Sequence, residues 1–194
     1  LNPGTFATLS GSSGSGKSLL LNCLAGISVP SEGKVSYSGY DMLKFASSKF
    51  SSCVGYVNQY PHLFDTSLLE NITMSDSSIS LSRVQNSIRS LDFNFSFDPD
   101  NREIYSKSLN DLSLSEIDKI QLFLLRSLVR KPKILIVDDI FHSADPYYVS
   151  KLLRSIQPSV FSLLLVSNDE TLVSSFPTNF FILNQQVING GSSS

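Results

Sequence analysis

FATLSGSSGSGKSLLLNCLAGI, residues 6–27, changes character twice. Phe6 to Ser10 is a short run suited to a strand. Lys17 to Ile27 is an apolar stretch suited to a helix. Between them GSSGSGKS, Gly11 to Ser18, fits the pattern G-x-x-x-x-G-K-[ST] without a mismatch. The glycines let backbone N–H groups of Gly11, Ser12, Ser13, Gly14, Ser15 and Gly16 turn inward around phosphate oxygens, a nest that side chains would obstruct. The positive end of the following helix adds to that attraction. Lys17 is expected to reach the β- and γ-phosphates of a nucleoside triphosphate, and the Ser18 hydroxyl to ligate Mg²⁺. Strand before and helix after distinguish this loop from a Ser/Gly linker.

A second stretch answers the first. In KILIVDDIFHSADP, residues 133–146, an apolar run suited to a strand buried on both faces ends in Asp138 and Asp139. A second buried strand is expected to run beside the phosphate loop, with the acid at its C-terminal end holding Mg²⁺. Asp138 is that acid. Asp139, the next residue, is expected to contact the attacking water.

Bulk properties set outer limits. The chain has 194 residues, 41% of them hydrophobic, enough for one domain or one domain with a small subdomain. A formal net charge of −2 argues against nucleic-acid binding through a broadly basic face. Cys23 and Cys53 lack any metal-binding or redox spacing and read as free thiols in a reducing compartment. No apolar run approaches the length of about 18 residues that a membrane span needs. No signal peptide is legible, and the start at Leu1, directly before a strand, reads as a cut from something longer.

Strands and helices alternate through most of the chain. KVSYSG (34–39) and CVGYVNQ (53–59) read as strands, SLLENIT and SLSRVQNSIRSL as short helices, and FNFSFDPDNREIYSKSLND (93–111) as polar and turn-rich. SEIDKIQLFLLRSLVRK (115–131) places Ile117, Ile120, Leu124, Leu125 and Leu128 on one helical face. VSKLLRSI, FSLLLVSN (161–168) and a hairpin of NFFILN with QVING complete the order. The fold class is therefore α/β, a mostly parallel sheet flanked by helices. Its expected division is a core, first part, over 1–66; an inserted helical subdomain over 67–131; a core, second part, over 132–190; and a flexible tail over 191–194, within GGSSS.

Taken together, GSSGSGKS, a strand ending in Gln59, a helical region, LSLSE before a long helix, ILIVDD, SAD and VSN resemble the ATP-binding cassette of ABC transporters over nearly the whole chain. VGYVNQYPHLFDTSLLENI (54–72) is similar to the exporter branch, and VPSEGKVSYSGYDM (29–42) to the family's turn-and-strand segment. The resemblance implies a P-loop NTPase fold, ATP and Mg²⁺ as ligands, and a head-to-tail dimer with a second cassette that closes on ATP. It also implies transmembrane domains as partners, and a peripheral place on the cytoplasmic face of a membrane. Gln59 would sense Mg²⁺ and water, and Ser113 would contact the partner's γ-phosphate. Asp145 matches the family's D-loop acid.

Three departures lower the expected turnover. The family's LSGGQ is here Leu112-Ser113-Leu114-Ser115-Glu116, with both glycines gone, and Ser113-x-x-Glu116 also reads as a capping box. The family's catalytic Glu is Asp139, one methylene shorter, a retreat of roughly 1.5 Å. The switch His aligns with Asn168, which can hydrogen-bond a phosphate oxygen but cannot carry a proton's charge to it. Two histidines remain: His62, expected in a solvent-facing loop, and His142, a conceivable stand-in for the switch residue. The leading expectation is an exporter-type transport ATPase that binds well and hydrolyses slowly. The competing one is a non-hydrolysing regulatory module that gates a membrane or partner protein. A soluble ATPase of repair or translation fits less well, because no second cassette and no long insertion is visible.

Overall fold

The computed structural model describes residues 4–44, 50, 52–91, 93–141, 144–174, 179–184 and 187–192. Strand β1 (Phe6–Ser10) leads through the glycine loop into helix α1 (Lys17–Leu24). Gly26 ends that helix at φ +73°, donating its N–H to Cys23 O at 3.1 Å. A Cβ there would fall 2.4 Å from a ring carbon of Phe50, so both backbone and packing require glycine. The run 34–39, read as one strand, is instead half of a hairpin: β2 (Ser36–Tyr37) turns into β3 (Tyr40–Asp41). Ser38 and Gly39 both take positive φ, as a two-residue hairpin turn needs.

After β4 (Val54–Val57) come helices α2 (Leu68–Thr73) and α3 (Leu81–Ser90), two 3₁₀ turns and the long helix α4 (Glu116–Leu128). Strand β5 (Ile134–Asp138), helix α5 (Pro146–Ile156), strand β6 (Ser162–Val166) and helix α6 (Glu170–Ser174) follow. The closing pair is β7 (Asn179–Asn184) and β8 (Val187–Ser192). The sheet order is β4-β5-β6-β1-β7-β8, parallel except for the β7–β8 hairpin. This is the mostly parallel, helix-flanked sheet of a P-loop NTPase.

The strand carrying Asp138 ends beside the phosphate loop as expected, with Ser18 Oγ 3.2 Å from the acid, although β6 lies between β5 and β1 in the sheet. Right-handed crossovers allow a later strand to insert there, and no local pattern in β5 could reveal its neighbour. The end GGSSS is not loose throughout: β8 runs to Ser192, with Gly191 opposite Phe180 and Ser192 opposite Asn179. Residues 193–194, like Gln186, His142 and Ser143, lie outside the described residues.

Side chains alternate across the sheet and both faces are buried. Ala7, Leu9, Ile136, Leu164 and Val166 face α1 through Leu21. Phe6, Leu135, Val137, Leu163 and Leu165 face the other side, in one continuous core with Leu68, Val84, Leu124, Leu125 and Leu153 of the helices. That two-sided burial explains why β5 and β6 read as unbroken apolar runs. Within α4, Ile120, Leu124, Leu125 and Leu128 point inward as expected, but Ile117 is 38% exposed. In the first two turns Asp118 and Gln121 are buried instead. Cys23 is buried and Cys53 half-buried, both as free thiols. Among the described residues no helix is long and apolar enough to cross a membrane.

Candidate functional site

Four parallel strands end on the same edge of the sheet, and each delivers one part of the site. Past β1 comes the phosphate loop; past β4, Gln59; at the end of β5, Asp138 and Asp139; past β6, Asn168. Together they line a cleft of about 360 Å³. Ser13, Gly14, Gly16, Lys17 and Ser18 form its floor, and Leu19 and Val166 complete the wall. Ser13 and Asn168, 155 positions apart in the chain, thus meet in one place.

The loop has the features of an anion cradle. Gly14 and Gly16 stand at φ +78° and +94°, which side chains rarely adopt, with open space where a Cβ would be. Gly16 is the N-cap of α1 and brings no side-chain cap, so the first N–H groups of the helix turn toward the loop without one. The Ser15 hydroxyl is buried without a hydrogen-bond partner. Lys17 folds back on the loop, donating from Nζ to the carbonyls of Gly11 (2.6 Å) and Ser12 (2.9 Å). An uncapped helix end, an orphaned hydroxyl and a cation parked on carbonyls all fit a phosphate chain.

The metal-type partners also meet. Ser18 Oγ donates to Asp138 Oδ2 at 3.2 Å, bridging α1 to β5 across the intervening strand. Tyr56 of β4, which the sequence gives no reason to single out, brings its hydroxyl to within 3.5 Å of the same oxygen. Burial pushes the Asp138 carboxyl above the usual carboxylate range, partly offset by these two hydroxyls and by the charge of Lys17. Burial, with the Asp138 charge beside it, lifts the Tyr56 hydroxyl to about 12. A hydroxyl and a carboxylate held together in this way are suited to a hard divalent cation such as Mg²⁺. Asp139 takes φ +44° and donates its N–H to Val166 O at 3.2 Å, so the chain turns sharply at the cleft. Asn168 accepts at Oδ1 from Gly11 N–H (3.2 Å) and Ser10 Oγ (3.1 Å).

Ser113 stands apart from this cleft and is exposed. The capping box expected of Ser113 and Glu116 is formed two residues later. Ser115 is the N-cap of α4, its Oγ accepting from Asp118 N–H, and the Asp118 carboxylate reaches back to Ser115 N–H at 2.8 Å. Asp118 also accepts from Ser96 N–H (2.8 Å) and Ser96 Oγ (2.6 Å), contacts that reward its burial and that Glu116 cannot make from the exposed side. Ser115-x-x-Asp118 has the same Ser-x-x-acid spacing as Ser113-x-x-Glu116, and the tertiary contact with Ser96 favours it. Asp145 caps α5 by accepting from Tyr148 N–H at 2.9 Å. His62 is exposed, as expected of its loop.

A phosphate loop, a hydroxyl–carboxylate pair and a parallel sheet that presents both at its C-terminal edge define a P-loop nucleotide-binding domain. The family model described as ABC transporter matches residues 1–142, and the chain belongs to that family as a nucleotide-binding domain. It is 34% identical over 145 residues to the ABC-type transporter kk1G of Curvularia clavata, covering 74% of this chain and 11% of that protein. It is 28% identical over 199 residues to the methionine import ATP-binding protein MetN of Chlamydia pneumoniae, covering 96% of this chain and 57% of that one. The chain therefore spans from about a tenth to just over half the length of these relatives. In fold it is similar to a bacterial Atm1-family ABC exporter solved with ATP bound, with a TM-score of 0.84 over 98% of this chain and 34% of that chain, at 21% identity.

Proposed function

We propose that this domain binds Mg-ATP and couples ATP binding, with slow hydrolysis, to transport by an exporter-type ABC transporter. The observation that carries this reading is the convergence of Lys17, Ser18, Gln59, Asp138 and Asp139 on one cleft. Gly11 to Gly16 cradle the phosphates through backbone N–H groups, and Lys17 leaves the carbonyls of Gly11 and Ser12 to meet the β- and γ-phosphates. Ser18 and Asp138, with Gln59, hold Mg²⁺. When bound, that ion neutralises charge on the transferring phosphoryl group. Asp139 orients the attacking water and accepts its proton, from a carboxylate set back by one methylene. A misplaced base forfeits part of a contribution of about 10²–10⁴-fold, so turnover is slow.

The partners of this reading are a second nucleotide-binding domain, packed head to tail, and the transmembrane domains of the transporter. The domain sits peripherally on the cytoplasmic face of the membrane. Ser113 approaches the partner's γ-phosphate from a segment without the family's glycines, a further cause of weak turnover. The helical segment 67–131 acts as a subdomain between core parts 1–66 and 132–190.

Nucleotide affinity and steady-state phosphate release, measured with Mg²⁺ on the protein and its Asp139→Glu and Asp139→Asn variants, test the proposal. Tight ATP binding, with release that Asn abolishes and Glu raises, is the expected outcome. Tight binding without release in any variant would turn the reading to a regulatory module that uses ATP to gate a membrane or partner protein. No binding would sink both.

A further inference from the structure

We propose that Asn168 is a positioning residue of the phosphate loop, tethering the loop's first turn to the sheet through its side-chain oxygen. The β1–β6 pairing ends at Leu9 opposite Val166, where Ser167 N–H still donates to Leu9 O at 3.3 Å. Beyond that point β6 no longer pairs with β1, although Ser10 stays opposite Ile182 of β7 on the other side. Asn168 Oδ1 takes over, accepting from Ser10 Oγ at 3.1 Å and from Gly11 N–H at 3.2 Å. The amide orientation follows from chemistry: a backbone N–H can only donate, so the atom facing it is the oxygen. The Nδ2 donors are thereby on the other branch of the amide, in a side chain that lines the cleft.

The other side-chain hold on this turn is temporary. Lys17 Nζ bonds to the carbonyls of Gly11 and Ser12, and a lysine that turns to a phosphate must release them. The bond from Asn168 engages the N–H of Gly11, not its carbonyl, and persists through that exchange. It thus holds the entrance of the loop while Lys17 is occupied elsewhere. The loop cradles the phosphates common to a nucleoside diphosphate and triphosphate, so loosening it weakens both ligands. A contact to the terminal phosphate alone would weaken only the triphosphate.

This inference rests on the nucleotide-binding reading, and its test separates the two. Affinities for ADP and ATP are measured calorimetrically on the purified protein and on Asn168→Ala, Ser10→Ala and the double variant. Loss of the tether lowers both affinities by the same factor, about three- to tenfold for Asn168→Ala, in the range of one or two neutral hydrogen bonds. Ser10→Ala gives a smaller loss of the same kind, and the double variant is no weaker than Asn168→Ala, because the bond that Ser10→Ala removes is already lost with Asn168. Asn168 is exposed, so thermal unfolding without nucleotide stays unchanged, which a general structural defect would not allow. ADP affinity that is unchanged in Asn168→Ala, or losses that simply add, overturns the tether while leaving the nucleotide-binding reading intact. A wild-type protein that binds neither ligand overturns both.

Discussion

Asp139 shows how a single backbone angle bears on chemistry. At φ +44° it sits in the left-handed region, which Asp and Asn visit with less strain than other side chains because they can hydrogen-bond locally. Asp139→Glu therefore restores carboxylate reach but adds backbone strain. Its denaturation midpoint should drop by the equivalent of about 1 kcal/mol, whereas Asp139→Asn should leave it unchanged. A Glu variant as stable as wild type in urea titration would mean that φ at this position places no demand on residue type. Asp138, one residue earlier, keeps ordinary strand geometry and is held by hydroxyls from two other elements. Adjacent carboxylates thus end in different environments, and the hydroxyls that hold Asp138 and the φ of Asp139 come only from the fold.

Helix α4 is the member on which the surrounding loops hang. Its first two turns hold residues 94–96: Asp118 binds Ser96, and Gln121 exchanges two bonds with the backbone of Asn94, at 2.7 and 3.1 Å. Near its other end Arg126 donates to Asn71 O and His62 O, both at 2.8 Å, and to Asn71 Oδ1 at 3.2 Å. Asn71 is buried, and its side chain binds Phe64 N–H, Phe64 O and the Thr66 hydroxyl, each at 2.9 Å. The segment that follows Gln59 is thereby fastened to the helix that follows LSLSE. Arg126→Lys keeps the charge but cannot serve three acceptors with a planar fork. It should cost about 2 kcal/mol and speed hydrogen exchange over 62–73; exchange at the wild-type rate would remove Arg126 from this role. Ser115→Ala, which deletes the α4 cap, should cost about 1 kcal/mol, read from the shift in thermal midpoint, and Ser113→Ala nearly nothing.

Stability of the whole chain carries the mark of one buried acid. Burial pulls the Asp118 carboxyl upward, but the four hydrogen bonds from Ser115 and Ser96 outweigh it, and the net shift is below the ordinary value. A carboxyl with a depressed folded pKa stabilises above its unfolded pKa of about 3.9, and that contribution is lost as pH falls through the folded value. Unfolding free energy should thus be flat with respect to this group at neutral pH and fall from about pH 4 downward. Asp118→Asn should be less stable at pH 7 and show a shallower acid limb. Parallel acid limbs for the two proteins would contradict the linkage. The helices over 68–128 share one core with the far face of the sheet, so the loss should appear in global unfolding.

The local patterns were sufficient for the phosphate loop, the two-sided burial of β5 and β6, the alternation of strand and helix, and the acids at the end of β5. Each depends on neighbours within about a dozen residues: glycine spacing, period-two or period-3.6 burial, and turn residues. Strand order, the interposed β6, the cap at Ser115 in place of Ser113, and the contacts of Tyr56, Asn71 and Arg126 came only with the folded chain. Asn168 divides between the two: its position was legible, its grip on Gly11 was not. A side chain's hydrogen-bond partner is set by where the backbone has already been carried, and parallel strands bring together residues more than 150 positions apart. Pattern fixes what each segment can become, and packing decides what it meets.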